Sequence, residues 1–78
     1  MYSFSVQIPA DWDIKETLMK VAQQCDAFQG TVESGRFKKT GVTGEYNITG
    51  QTCYIRITDK PWLADYGMIE KKVREFFS

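Results

Sequence analysis

The stretch from residue 31 to 58 constrains this chain most, because its turn residues and its charges ask for the same sheet. Ser34-Gly35, Thr40-Gly41 and Gly50-Gln51 each suit a two-residue hairpin turn. Pairing outward from these turns sets Glu33 opposite Arg36, Arg36 opposite Glu45, and Glu45 opposite Arg56. A lateral row then alternates in sign from strand to strand, and opposite charges directly across favour that register. The neighbouring row, Val32, Phe37, Gly44 and Ile57, is almost wholly apolar and belongs to the other face. Phe37 opposite Gly44 fits an aromatic ring lying over a residue without a side chain.

The flanking segments supply one more strand and two helices. Tyr2, Phe4, Val6 and Ile8 alternate with polar residues, as in a half-buried strand that Pro9 ends. Asp13-Ile14-Lys15-Glu16 has the form of a capping box, with Asp11 as a competing cap. Ile14, Leu18, Val21, Ala22, Cys25 and Phe28 follow at helical spacing, and Gly30 suits a stop, which predicts a helix over about residues 12–28. Strands are expected near 31–34, 36–40, 42–49 and 52–58. Pro61 suits the first position of a closing helix with Trp62, Tyr66, Ile69, Val73 and Phe76 on one stripe, joined by Leu63 and Phe77. Gly67 then falls mid-helix, marking a kink or a close approach to the sheet. The expected architecture is a single α+β domain over residues 1–78 in the order β-α-β-β-β-β-α. Its five-stranded antiparallel sheet, in the order 1-5-4-3-2, carries both helices packed on one face.

Ten basic and ten acidic residues cancel, so the phosphate-neutralising excess of a nucleic-acid binder is missing. Lys71, Lys72 and Arg74 interleave with Glu70 and Glu75, the pattern of a solvated helix face. No stretch approaches the roughly 20 apolar residues of a transmembrane helix. Residues 1–9 lack the basic and apolar regions of a signal peptide, so a cytoplasmic chain with reduced thiols is expected. Histidine is absent, which removes the commonest general base and the commonest metal ligand.

Candidate sites follow from what remains. Cys25 and Cys53 have no metal-ligand spacing and read as core thiols. Asp11, Asp13, Asp59 and Asp65 flank the helix starts, where capping is their expected role. Gly41-Val42-Thr43-Gly44 lacks the ending of a phosphate loop and reads as a hairpin. No catalytic residues, metal site or cofactor are expected. Trp12 and Trp62 stand at the two expected helix starts, where they either staple the helix ends to the sheet or, with Pro61, Leu63 and Tyr66, line a shallow apolar mouth between helices and sheet. The outer sheet face carries Tyr54 and Arg56 beside Lys38, a second candidate surface. An edge strand at 31–34 or a Trp-rich patch would be covered by a homodimer or a protein partner.

Gly35-Arg36-Phe37, Gly41-Val42-Thr43-Gly44-Glu45, Cys53-Tyr54-Ile55-Arg56-Ile57 and Ile69-Glu70-Lys71-Lys72-Val73 together resemble the small polyhydroxyalkanoate granule-associated system proteins of bacteria. The resemblance covers roughly residues 35–75. The β-α-β4-α order is also similar to the TATA-binding-protein-like fold. The resemblance implies a small bacterial protein associated with hydrophobic granules and transfers no catalytic residue. With no catalytic set among its residues, the chain is expected to be a non-catalytic cytosolic domain that acts by binding or surface association. The first alternative is association with a hydrophobic granule or lipid-like surface through Trp12, Trp62 and the helix ends. Nucleic-acid binding on the open sheet face through Lys38, Tyr54 and Arg56 is the disfavoured alternative.

Overall fold

Alternation of apolar and polar residues builds five strands: β1 (Tyr2–Gln7), β2 (Ala27–Gly30), β3 (Ser34–Lys39), β4 (Val42–Thr49) and β5 (Thr52–Asp59). Helical spacing builds α1 (Ile14–Gln24) and α2 (Tyr66–Phe76). These elements come from a computed structural model that describes residues 2–77. The element order is β-α-β-β-β-β-α, and one open antiparallel sheet runs β1-β5-β4-β3-β2. This α+β arrangement and strand order agree with the sequence expectation.

Both later turns form where the sequence puts them. Thr40 and Gly41 have φ of 52° and 81°, the double positive φ of a type I′ hairpin. Thr40 is β-branched and disfavoured there, and its N–H is held by the Asp26 carboxylate at 2.9 Å. Gly50 has φ of 62°, and the turn sets Thr49 opposite Thr52. Arg36 faces Glu45 and Glu45 faces Arg56, as the alternating charges require. A register shift between Thr43 and Gly44 places Thr43 opposite Asp59.

The first hairpin is different. Ser34-Gly35 is not its turn: both residues lie in β3, and the chain reverses through residues 31–33. The Thr31 hydroxyl accepts from the N–H groups of Glu33 and Ser34, and the Thr31 N–H donates to the Ser34 carbonyl at 2.8 Å. The strand expected at 31–34 is displaced to Ala27–Gly30. Gln29, not Glu33, faces Arg36, and Phe28, not Val32, joins the apolar row by facing Phe37. Val32 is left exposed.

This shift shortens the first helix from 12–28 to Ile14–Gln24. Asp13 wins over Asp11 as the cap, accepting from the Glu16 N–H at 3.2 Å. Cys25 is already extended (φ −93°, ψ 151°), so Phe28 leaves the helical stripe for the sheet. The closing helix also starts later than expected. Asp65 caps it, and Pro61 and Trp62 lie outside. Gly67 therefore sits in its first turn rather than mid-helix, and a Cβ there would meet only the Asp65 carboxylate, at 3.7 Å.

The core lies beneath the sheet. Val6, Ile8, Tyr46, Cys53, Ile55 and Ile57 are buried, and Ile14 and Leu18 of α1 with Tyr66, Ile69 and Val73 of α2 pack against them. Both helices thus cover the inner face, while Tyr54 and Arg56 stay exposed on the outer one. A Cβ on Gly44 would come within 2.5 Å of the Phe37 ring and 3.0 Å of the Arg56 carbonyl. Gly44→Ala is therefore expected to lower stability by about 1–3 kcal/mol, read as a lower urea midpoint. An unchanged midpoint would mean that Phe37 swings aside freely.

Candidate surface site

Trp62 and Leu63 occupy the connection between β5 and α2, and the geometry there holds the base of the loop while leaving its tip in water. The Pro61 carbonyl accepts from the Ala64 N–H at 2.9 Å, closing a tight turn around both residues. Pro61 itself rests on the β3–β4 turn, where a Cβ on Gly41 would meet its ring at 2.8 Å. Lys60 lies over the Tyr66 ring at 4.9 Å, and the Asp65 carboxylate receives the Gly67 N–H at 3.0 Å. Trp62 nevertheless has 86% of its surface exposed and Leu63 78%. Met68, in the first turn of α2, is 58% exposed. Isolated exposed apolar residues are ordinary, but two large ones side by side on an anchored tip are not.

Trp12 is elsewhere. It precedes α1, half-buried, and its indole packs edge-on against Phe76 (6.2 Å) and nearly parallel to Phe77 (6.1 Å). Those phenylalanines close the C-terminal end of α2, whereas Trp62 comes before its N-terminal end. The intervening helix of 11 residues is roughly 16 Å long. The mouth expected between the two indoles is therefore not formed: Trp12 seals the core and Trp62 projects. Tyr66 also turns inward, half-buried and stacked on Tyr2 at 4.9 Å.

Tyr2 joins β1 to α2 a second way. Its hydroxyl donates to Glu70, which also binds Arg74 at 2.8 Å. The Tyr2 bond, and then Arg74, hold the Glu70 carboxyl below the usual range, and the same bond raises the Tyr2 phenol. With the folded Glu70 pKa depressed, this stabilisation is complete above the unfolded value of about 4.3 and is lost as pH falls through the folded one. Tyr2→Phe is expected to narrow the difference between urea midpoints measured at about pH 7 and about pH 3. An unaltered difference would show that the bond contributes nothing in solution.

On the outer face, Tyr54 is 54% exposed and Arg56 is bound to Glu45 at 2.9 Å. Arg56 holds the Glu45 carboxyl below the usual range, mainly through that bond. Both belong to an open concavity of about 740 Å³ that also takes in Arg36, Asn47, Ser3 and Ser5. It is wide and polar. Cys53 is buried and its thiol is pushed up to about 11, so it stays protonated at neutral pH. Cys25 is only half-buried, at the C-terminal cap of α1, rather than in the core. Among the described residues no group of three or more His, Cys, Asp or Glu is placed to hold a metal ion. Also among them, no helix is long and apolar enough to cross a membrane. In comparisons with known proteins the chain matches no family model, no curated protein and no solved structure.

The sequence placed Trp62 inside a helix stripe and so missed its exposure. The signal that could have found it is Asp65, a preferred cap two residues before Gly67, which starts the helix beyond the tryptophan.

Proposed function

We propose that this chain is a non-catalytic binding protein that associates with a neutral, water-excluding surface, a lipid layer or a polyester granule, through the Trp62–Leu63 tip. One observation carries the reading: two adjacent large apolar side chains, 86% and 78% exposed, on a turn anchored at both ends. Tryptophan suits such a boundary because its ring is apolar and its N–H can stay hydrated. A net charge of zero makes apolar contact, rather than attraction to anionic headgroups, the driving term. The resemblance to bacterial granule-associated proteins supports the same reading, and a bacterial cytoplasm is the compartment it suggests. The outer sheet face supports nucleic-acid binding less well, since Arg56 is already paired and Tyr54 offers a single stacking ring.

Fluorescence tests the proposal in a Trp12→Phe background, where emission reports Trp62 alone. Adding phosphatidylcholine vesicles or polyester particles should move that emission to shorter wavelength, with little dependence on salt. Response to one surface and not the other distinguishes lipid from polymer. Emission that stays unmoved by an excess of both would end the reading.

A further inference from the structure

We propose that β1 is the seam along which two copies of this chain join their sheets, antiparallel and centred on Ser5. β1 is one edge of the sheet. The Ile8 N–H donates to the Gln51 carbonyl at 2.7 Å, toward the β5 side. Because backbone direction alternates along a strand, Val6, Phe4 and Tyr2 also bond toward β5. Ser3, Ser5 and Gln7 therefore turn their N–H and C=O groups to the open edge.

Proteins usually blunt such an edge with charge, proline, a bulge or short length. The β1 sequence, YSFSVQ, contains no charge and no proline, and the one register shift in the sheet lies at Thr43/Gly44. The opposite edge, β2, is only four residues long and ends in Gly30. β1 is the unprotected edge.

The identity of the partner follows from the pattern of β1 about its middle. With two copies centred on Ser5, Ser5 faces the partner's Ser5 and Ser3 faces the partner's Gln7 on the outer face. On the inner face Phe4 meets the partner's Val6 and Tyr2 meets the partner's Ile8. Every polar residue meets a polar one and every apolar residue an apolar one, while all three outward-directed residues are used. Centring on Gln7 instead would drive the strands into Pro9, which has no N–H to offer. Val6 and Ile8 are buried in their own core, and α2 already lies against Tyr2 and Phe4 through Glu70 and Arg74. The seam therefore rests on the backbone groups of Ser3, Ser5 and Gln7 and on their outer-face side chains. Nor does charge oppose the approach: the α2 groove alongside carries Glu70, Lys71, Arg74 and Glu75, two acids and two bases.

Sedimentation of the whole chain over a range of concentrations reads the result. The wild type should approach twice the chain mass. Ser5→Lys sets two like charges across the axis and should weaken self-association by about tenfold or more. Ser5→Glu should do the same, and mixing the two variants in equal amounts should restore the dimer. Ser5 is exposed, so circular dichroism should show both variants folded. A chain carrying Ser3→Glu and Gln7→Lys places opposite charges across the seam twice and should dimerise more tightly, which keeps the register testable if either single variant fails to fold. A wild type that stays monomeric up to its solubility limit overturns the proposal. So do Ser5 variants that dimerise like the wild type, a mixture of folded variants that stays monomeric, or a double variant with no gain.

Discussion

Replacing Trp62 and Leu63 together by serine is expected to lower partition onto a neutral apolar surface by roughly a hundredfold. Burying a large apolar side chain is worth about 1.5–3 kcal/mol, and partial insertion of two contributes about 3 kcal/mol in total. The same change should leave the urea midpoint almost where it was, within about 0.5 kcal/mol, because neither side chain is packed in the fold. This separation of binding from stability is the diagnostic feature. Vesicle or particle co-sedimentation measures the first and urea unfolding the second. Equal partition of variant and wild type would remove the tip from the interaction, and a large loss of stability would show that it packs after all. Trp12→Phe should behave in the opposite way, with surface binding retained and some stability lost from the contacts with Phe76 and Phe77.

Ile57→Ala is expected to bring the domain close to unfolding. Ile57 is fully buried, at 0% exposure, between Tyr2 of β1 and Gly44 of β4. Neither neighbour in its row can fill the space: Gly44 has no side chain, and Tyr2 is stacked on Tyr66 and bonded to Glu70. Removing the side chain at such a site costs about 2–5 kcal/mol. A domain of this size has a total stability on the order of 5 kcal/mol, so the loss is most of what exists. Urea unfolding followed by circular dichroism should show a midpoint near zero denaturant. Val32→Ala, at an exposed turn, is the matched control and should change little. A variant that unfolds like the wild type would mean that the core does not centre on β5.

The last two hairpins were legible because independent signals agreed there. Positive-φ turn residues, alternating charge and alternating hydrophobicity each specify the pairing of β3, β4 and β5, and a one-residue slip would violate all of them. The close fit of Phe37 over Gly44 followed from the same register. The outer-face residues Tyr54 and Arg56 were placed correctly for that reason.

Around residues 25–35 the signals conflict. Cys25 and Phe28 continue the helical stripe of α1, while Phe28 and Gly30 equally suit a strand. Ser34-Gly35 looks like a turn but is straight in β3. The conflict is resolved by long-range partners: Phe28 stacks on Tyr46 at 5.7 Å, and the Tyr46 hydroxyl donates to the Thr31 carbonyl at 2.6 Å. Gly30 and Gly35 face each other with no room for a side chain between them, because the Tyr46 ring lies across both. These contacts join residues far apart in the chain, so no local pattern announces them.

The order of residues by itself determined the fold class and the register of β3 to β5, because those rest on periodicities and on charges a few residues from their turns. The place of β1 beside β5 followed only from how the connections run and is fixed by the tertiary structure. Only the tertiary structure decided where α1 gives way to β2 and which tryptophan faces water. Both depend on what another part of the chain offers. Phe28 leaves the helix because Phe37 and Tyr46 wait in the sheet. Trp12 is covered because α2 ends beside it in Phe76 and Phe77, and Trp62 is left in solvent because α2 begins only after Asp65.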